Sequence, residues 1–509
     1  MSERKATISL RVNRELSQRT SYNNAEVQCI LAVLKPQCSK EAQVAASTYF
    51  RKISLRAQIR PSTYADFIVS SVLECLKITS IVDVRLNLTW ALTNFACGEH
   101  EDTDRIIRMV LRLLYLINNS LVVSFTSRPT YEEASLTSSH VGGDQGDGLN
   151  VLLSILTKSS GEVRDQAVWT FGNIAADCDD CRRATRNSGI LEHLLNHLER
   201  YDELSLQSIR LAVWCLVNTI RGGYNSTLLT INITWRYVQV LHILMNRYTS
   251  DIELIGNSIW CLAHIANDGP PYDQIEAIRL EPNLINNLLG FLHHSDYRIL
   301  RGALRSVGNI ITGSDIQTET LLAVGVVPIL AELAQHSDST ISREALWVMS
   351  NIAAGPVAHI DVLFTARGVA DMIASNCNSL ETRKRKEASW VVVNSMMGGS
   401  SHLVEWLLVG GFGVSLREIL EHQDDSRLVR RVLVAMKALL NARNPPLRFL
   451  PALLRHIKFE NIISQLRPSL EKNLVAREAC DFLIRVLKKP EDDQPEIENE
   501  HRPVFIELK

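Results

Sequence analysis

The sequence lacks the short motifs by which most enzyme classes are recognised. Its 509 residues contain no phosphate-binding loop, no HExxH pair of histidines and no GxSxG nucleophile motif. It also lacks the run of about 18 apolar residues that a membrane-spanning helix requires, and its first residues lack the apolar stretch of a signal peptide. These absences predict a chain of the cytosol or nucleus that is not an enzyme, has no cofactor and has no membrane partner.

An excess of charge of one sign is absent as well. Lys and Arg number 54 against 56 Asp and Glu, a net charge of −2, and no basic stripe follows the chain, which argues against a nucleic-acid partner. Ten cysteines are scattered through apolar segments and are expected to be reduced. The pair Cys178 and Cys181 has no second pair at zinc spacing, so we predict no metal there and treat it as incidental.

What the sequence does contain is a recurring tryptophan with an asparagine four residues later. The copies are Trp90/Asn94, Trp169/Asn173, Trp214/Asn218, Trp347/Asn351 and Trp390/Asn394, and Trp260 is followed by His264 instead. Residues four apart on a helix lie on one face, so each pair sets an indole ring beside an amide. An asparagine buried in a core would need a hydrogen-bond partner at every copy. The pattern therefore favours a peptide-binding surface over core packing.

The copies are regularly spaced along the chain. Trp214 follows Trp169 by 45 residues and Trp260 follows after 46, and the next matching positions, Arg305, Trp347 and Trp390, follow after 45, 42 and 43. Periods of about 40–47 residues with helical apolar patterning are typical of HEAT or armadillo repeats. Each repeat buries its apolar face on its neighbour. We therefore predict one all-α solenoid of about ten repeats rather than three separate domains.

The composition divides the chain into a solenoid and two flanking segments. Residues 1–24 form a short basic arm, residues 25–488 the solenoid, and residues 489–509 an acidic tail that is expected to be disordered. A Ser/Thr/Gly-rich stretch at about 118–148 is predicted to be a disordered insertion within one repeat. Gly189 and Gly325 are predicted to lie where a short helix gives way to a long one.

A ladder of tryptophans has a definite use for an extended peptide. Stacked helices would set the rings about 8–10 Å apart, and a lysine or arginine side chain fits between two rings, with about 0.5–2 kcal/mol of cation–π attraction. The asparagine amide would hold the peptide backbone. Acids near the pairs favour basic ligands: Glu101, Asp102, Asp104, Asp177, Asp179, Asp180, Asp268, Asp315, Glu319 and Glu387. The run from Arg383 to Lys386 would repel such a ligand unless its side chains turn away.

Four segments carry a resemblance to a known family: Trp90–Asn94, Gln166–Asp177, Ala303–Gly313 and Trp347–Asn351. They resemble the importin alpha (karyopherin alpha) family of nuclear import adaptors, and the similarity is clear over about residues 60 to 400. The resemblance implies an armadillo-repeat, right-handed superhelical solenoid. It also implies that the arm at residues 1–24 is a degenerate importin-beta-binding segment.

The resemblance further implies two peptide sites. The larger would use Trp90, Asn94, Gly98, Thr103, Gln166, Trp169, Asn173, Asp177, Trp214, Asn218 and Arg221. Within it, Gly98, Thr103 and Asp177 would form the pocket for the most buried lysine, Gln166 would contact the ligand backbone, and Arg221 would interrupt the acidic groove. The smaller would use Arg305, Asn309, Thr318, Trp347, Asn351, Glu387, Trp390 and Asn394, with Arg305 marking the break between the sites.

The partners expected from the resemblance are basic nuclear localisation signals on cargo proteins, importin beta and a nuclear export factor for the adaptor. The chain would then shuttle between cytoplasm and nucleus. The alternative is an armadillo scaffold for signalling, adhesion or cytoskeletal partners without a transport role. Acids beside the ladder favour the first reading, whereas a basic groove would have favoured the second.

Overall fold

The structure is a computed structural model that describes residues 24–54, 62–98, 100–107, 148–222, 230–267, 269, 271–441 and 449–488. Three predicted segments fall outside these ranges: the arm up to residue 23, the insertion up to residue 147 and the tail from residue 489. Asp268 also lies outside the described residues. The chain folds into two compact units, Met1–Ile265 and Ala266–Lys509.

The described part of the first unit is entirely helical. Its α-helices are Asn24–Val33, Lys40–Ile53, Ser62–Ile78, Val82–Ala96, Gly148–Lys158, Gly161–Asp177, Asp179–Asn187, Ile190–Leu198, Leu206–Ile220, Ile231–Arg247 and Ile252–Ile265, with a short 3-10 turn at Tyr201–Glu203. Residues 100–107 are helical as well.

The described part of the second unit is also built from helices alone. They are Asp273–Leu280, Leu284–Phe291, Tyr297–Ile311, Asp315–Ala323, Val326–Leu333, Ser339–Ile352, Val357–Leu363, Val369–Cys377, Thr382–Gly398, Ser401–Leu407, Gly413–His422, Ser426–Asn441, Leu450–His456, Phe459–Leu466 and Leu474–Leu487. A π turn at Leu408–Phe412 and a 3-10 turn at Arg467–Leu470 join neighbouring helices. Helices without strands confirm the predicted all-α class.

One long helix recurs in every repeat, and we call these the ladder helices. In the first unit they are Lys40–Ile53, Val82–Ala96, Gly161–Asp177, Leu206–Ile220 and Ile252–Ile265, and in the second Tyr297–Ile311, Ser339–Ile352, Thr382–Gly398, Ser426–Asn441 and Leu474–Leu487. Within each unit every ladder helix packs on the next. Five ladder helices in each unit agree with the predicted ten repeats. The apolar positions of these helices, such as Leu88, Leu92 and Phe95, are fully buried.

The turns between the helices show why each repeat has this shape. Gly189, Gly325 and Gly368 begin a helix in the left-handed region, with φ between 79° and 83°, where a side chain is strained. Each glycine joins two short helices of seven to nine residues. The prediction that Gly189 and Gly325 precede a long helix was therefore wrong, since each glycine is followed by a short helix and the ladder helix comes after that.

Polar caps start several of the ladder helices. The carboxylate of Asp338, for example, accepts the backbone N–H groups of Thr340 and Ile341 at 2.8 and 3.1 Å, which satisfies donors that have no partner within the helix. No single helix of the described residues is both long and apolar enough to cross a membrane. Asp315–Ala323 and Val326–Leu333 meet that test only as a pair, bent by 82°.

Candidate peptide-binding sites

The three tryptophans expected in the larger site lie on successive ladder helices of the first unit. Trp90, Trp169 and Trp214 are each half-buried, so each indole combines a packed edge with a part that faces solvent. Trp260, on the following ladder helix, is half-buried too, and its ring centroid lies 5.9 Å from that of His264. The predicted register is therefore realised on these helices.

Glycines of the preceding ladder helix hold two of the indole rings. A Cβ atom on Gly172 would lie 2.2 Å from Cζ3 of Trp214, and one on Gly308 would lie 2.2 Å from Cζ3 of Trp347. Because only glycine permits this approach, it sets the orientation of the ring. These glycines were missed in the sequence, although each directly precedes an asparagine of the ladder and was available as a signal.

The asparagines of the first unit tie each ladder helix to the preceding repeat. Nδ2 of Asn94 donates to Oγ of Ser54 at 2.9 Å, that of Asn173 contacts Sγ of Cys97 at 3.0 Å, and that of Asn218 donates to the carbonyl oxygen of Gly172 at 3.4 Å. Each of the three asparagines is 8 or 9% exposed. Nδ2 of Asn94 also donates to the carbonyl oxygen of Arg51 at 3.4 Å. For Asn173 and Asn218, one N–H is thus used within the described part of the protein, and the other N–H and the side-chain oxygen have no partner there.

Gln166 and Arg221 have internal partners as well. The Gln166 side-chain oxygen accepts a hydrogen bond from the Thr93 hydroxyl at 3.1 Å, across two ladder helices. Arg221 follows the ladder helix of Trp214 and contacts the carbonyl oxygen of Ala176 at 3.4 Å. Burial, and then the nearby cation of Arg182, lowers the pKa of Arg221.

The predicted lysine pocket is assembled around an unexpected histidine. Nδ1 of His100 lies 2.6 Å from Oδ2 of Asp177, whose side chain is only 6% exposed. This hydrogen bond is the largest cause that raises the pKa of His100. Gly98 and Thr103 flank His100 in the chain, so the contact brings all three predicted pocket residues into one region. The Thr103 hydroxyl is fully buried and has no hydrogen-bond partner among the described residues.

The indole faces of the first unit are not equally accessible to a cation. The guanidinium carbon of Arg51 lies 4.4 Å from the ring centroid of Trp90. Among the described residues no cation lies over Trp169 or Trp214. A cationic side chain can therefore stack on these two rings without displacing a described arginine, whereas Trp90 already has a cation–π partner.

The smaller site lies in the second unit and contains cations of its own. The guanidinium of Arg305 lies 4.8 Å from the Trp347 ring centroid and forms an ion pair with Glu344 at 2.8 Å. Glu344 is 3% exposed and also has Arg301 and Arg343 at 3.4 and 3.7 Å. Arg305 is thus a bridge to an acid of the next ladder helix.

A small open cavity of about 140 Å³ lies here, lined by Arg305, Arg343, Glu344, Trp347 and Glu387. Burial raises the pKa of Glu387, and Arg343, Lys386 and Arg305 oppose that rise. Glu344 was missed in the sequence, although it precedes Trp347 by three positions, as Glu387 precedes Trp390. The cavity therefore combines two carboxylates and two guanidiniums beside one indole.

The polar residues predicted for the smaller site differ in what they contact. Nδ2 of Asn394 donates to the carbonyl oxygen of Ser350 at 3.0 Å, as its counterparts do in the first unit, whereas Nδ2 of Asn351 is buried without a partner among the described residues. Asn309 is 8% exposed. Thr318 is 4% exposed, and its hydroxyl donates to the carbonyl oxygen of Ile311 at 3.1 Å, so it ties its helix to the end of the preceding ladder helix.

The basic run before Trp390 is neutralised in part. Arg385 contacts both carboxylate oxygens of Asp424 at 2.6 and 2.8 Å, and Lys386 contacts Asp425 at 2.8 Å. Two of the four cations therefore turn toward the next repeat. The Trp390 ring nevertheless has the guanidinium of Arg427 6.0 Å from its centroid.

Several acids of the predicted trail pair locally. Asp102, Asp179 and Asp180 each contact the arginine three residues later: Arg105, Arg182 and Arg183. Asp315 and Glu319 are exposed. Asp177 differs from these acids in lying nearly buried at the end of a ladder helix, beside His100.

Ladder helices that stack with short helices between them are the architecture of an armadillo-repeat protein. A family model described as armadillo/beta-catenin-like repeat matches residues 314–354. An engineered protein of known crystal structure superposes with a TM-score of 0.68, covering 92% of this chain and all of its own at 20% identity, which supports the fold alone.

Within this class the chain is related to the importin alpha subunits. It is 27% identical over 308 residues to importin subunit alpha-1b of Oryza sativa subsp. japonica, covering 60% of this chain and 49% of that protein. Importin subunit alpha-1a of the same organism is 28% identical over 338 residues, with 65 and 55% covered. The chain thus spans about half the length of these relatives. This similarity agrees with the family resemblance predicted from the sequence.

Proposed function

We propose that this chain is a nuclear import adaptor, which binds Lys- and Arg-rich nuclear localisation signals as extended peptides and links the cargo to an importin-beta-type carrier. One observation carries the proposal. The half-buried rings of Trp169 and Trp214 lie on successive ladder helices without a described cation over them, and the carboxylate of Asp177 lies at the end of the helix that carries Trp169. Indole faces attract cations, and a nearly buried carboxylate selects them.

Binding would begin with the side chains of the peptide. A lysine or arginine stem packs its methylene groups between the rings of Trp169 and Trp214, and the ammonium of a neighbouring lysine is directed toward Asp177. The remaining polar atoms of Asn173 and Asn218 then hold the peptide backbone in an extended form. In the second unit a basic peptide would have to replace Arg305 over Trp347 and Arg427 over Trp390, so we assign that site the weaker affinity.

Isothermal titration calorimetry with a lysine-rich localisation peptide and the full chain tests this function. We expect micromolar or tighter binding that weakens with salt, because the attraction is between charges. Asp177→Asn keeps the size of the side chain and should weaken binding about tenfold or more, since the buried ammonium loses its counter-charge, and Asp177→Lys should abolish it.

The control is Asp180→Lys, which makes the same charge change three residues away at a side chain that is 65% exposed. It should change the affinity by less than about threefold, because exposed charges are screened. If the unaltered chain shows no heat of binding at micromolar concentration, the adaptor function is wrong, and the scaffold alternative becomes the better one.

The carrier link and shuttling belong to the same proposal. An adaptor of this kind moves between cytoplasm and nucleus, with an importin-beta-type carrier for entry and an export factor for return. A pull-down of the carrier by the full chain tests the first partner, and deletion of residues 1–24 should abolish it if the arm is the contact. If the shortened chain still binds the carrier, the contact lies elsewhere in the chain.

A further inference from the structure

Four potential metal ligands converge beside the predicted lysine pocket. His100, Asp177, Cys178 and Cys181 each direct one ligand atom into a common space, with all four atoms within 4.8 Å of one another. Sγ of Cys181 lies 3.6 Å from Oδ2 of Asp177 and 3.9 Å from Nδ1 of His100. The two sulfur atoms are 2.7 Å apart. The proposed peptide function uses one of these four residues, Asp177.

The fold builds this cluster from two segments that are distant in the chain. Asp177 is the last residue of a ladder helix, and Cys178 is the N-cap of the next helix, where its Sγ accepts the backbone N–H of Cys181 at 3.1 Å. His100 arrives from the preceding repeat. Cys181 is 2% exposed, whereas the His100 side chain is 57% exposed, so an ion could enter from the histidine side.

The distances suit a tetrahedral ion. Zinc binds sulfur at about 2.3 Å and nitrogen or oxygen at about 2.0–2.2 Å, so ligand atoms around one ion lie roughly 3.3–3.8 Å apart. One observed separation, 3.6 Å, falls within that range, and another, 3.9 Å, lies just above it. The two closer pairs, the sulfur atoms at 2.7 Å and His100 with Asp177 at 2.6 Å, would each have to separate by about 1 Å.

The ligand chemistry selects the metal. Two thiolates and an imidazole disfavour Ca²⁺ and Mg²⁺, which take oxygen ligands, and are the ligands of Zn²⁺. We propose that His100, Asp177, Cys178 and Cys181 form a Zn²⁺ site at the edge of the larger peptide groove. Binding displaces the protons of the two thiols and the proton between His100 and Asp177, and involves no redox change.

Zinc binding has a consequence for the groove, which rests on the proposed function, whereas the site itself does not. A carboxylate that coordinates the ion has one oxygen occupied and much of its charge neutralised, so it attracts a lysine ammonium less strongly. Zinc and a lysine-rich peptide should therefore compete for Asp177, so that bound zinc lowers the affinity for cargo.

Zinc titration of the reduced, metal-free full chain against a chromophoric chelator tests the site. We expect one equivalent of Zn²⁺ per chain, and Co²⁺ in its place should give thiolate-to-cobalt charge-transfer absorption with tetrahedral visible bands. Cys178→Ser and His100→Gln should each weaken zinc binding at least tenfold, and His100→Gln alters an exposed side chain that the fold does not need. Cys29→Ser removes an exposed thiol elsewhere and should leave the titration unchanged.

Two results would overturn the metal site. The first is binding of less than half an equivalent of zinc by the reduced chain. This outcome counts in the same way if Cys178 and Cys181 formed a disulfide before the chain was reduced. The second is zinc binding that none of the ligand variants weakens. Both readouts are independent of the peptide, so they hold even if the adaptor function fails.

Competition is measured on the same samples. One equivalent of zinc should lower the affinity of the unaltered chain for the lysine-rich peptide at least tenfold, and a chelator should restore that affinity. In Cys178→Ser, zinc should have no effect on peptide binding. Unchanged peptide affinity with zinc bound would show that zinc and the peptide do not compete, and it would leave the proposed metal site unaffected.

Discussion

A tryptophan at the ladder position differs from repeat to repeat in what covers its ring. Arg51 lies over Trp90, Arg305 over Trp347 and Arg427 over Trp390, and no cation of the described residues lies over Trp169 or Trp214. The arginine comes from an adjacent ladder helix in each covered case. The same side chain is therefore a ligand platform in one repeat and an intramolecular cation–π partner in another.

His100 supplies the residue-scale prediction. Its imidazole is hydrogen-bonded to Asp177 at 2.6 Å, so a lysine ammonium must displace it to reach the carboxylate. In chelator-containing buffer, His100→Ala should strengthen binding of the lysine-rich peptide by about threefold to tenfold, which is the range of a typical net hydrogen bond of about 0.5–1.5 kcal/mol. Calorimetry measures the gain, and it should vanish in an Asp177→Asn background. Weaker binding by His100→Ala would instead mean that the ring supports the pocket.

At the scale of elements, the left-handed turn between short helices is the constant feature of the second unit. It is occupied by glycine at Gly325 and Gly368, by asparagine at Asn283 with φ 63° and by lysine at Lys458 with φ 55°. Glycine reaches this region without strain, asparagine at a small penalty and lysine at a larger one. The left-handed backbone conformation is thus found even at Lys458, a residue type that does not favour it.

Lys458→Gly should therefore stabilise the second unit. Lys458 is exposed, so its side chain contributes few contacts, and removing the strain should gain about 0.5–1 kcal/mol after the flexibility of glycine is subtracted. Urea denaturation followed by circular dichroism would show a later transition. Gly368→Ala, at φ 79° with open space around a new Cβ, is the opposite control and should lose about 1 kcal/mol. An unchanged or earlier transition of Lys458→Gly would contradict the argument.

At the scale of the whole molecule, the two predicted sites fall in different compact units. The larger site, from Trp90 to Arg221, lies in the first unit, and the smaller, from Arg305 to Asn394, lies in the second. Each unit therefore contains the helices and side chains of its own site. We expect the arginines that each unit contributes to its own rings to make the affinities of the two predicted sites unequal.

Paired substitutions in each unit test this inequality. The double variant Trp169→Ala with Trp214→Ala should bind a lysine-rich peptide about a hundredfold more weakly. It loses two stacking contacts of about 0.5–2 kcal/mol each and the burial of the methylene groups between them. Trp347→Ala with Trp390→Ala should weaken peptide binding by less than about threefold, because their faces already hold arginines. Calorimetry gives both values, and circular dichroism checks that each variant is folded. A larger loss from the second pair would reverse the order of the two sites.

The sequence by itself determined the repeat and its register. The spacing of Trp169, Trp214 and Trp260, with helical apolar patterning between them, was enough to give the all-α repeat class, because helix periodicity and stacking are local and recur in every copy. The resemblance to the importin alpha family rested on the same residues. Whether the residues of the larger site bind a peptide stays a prediction, although His100 brings Gly98, Thr103 and Asp177 into one region.

Only the tertiary structure decided what each of these residues touches. Arg305 covers Trp347, Gly172 receives Trp214, and His100 approaches Cys178 from 78 positions earlier in the chain. These contacts join different repeats, and the geometry between stacked helices is set by packing rather than by local pattern. The position of Gly172 before Asn173 was a signal in the sequence, but the ring that it receives was not. Cys178 and Cys181 therefore looked incidental in the sequence and became half of a candidate metal site once the repeats were stacked.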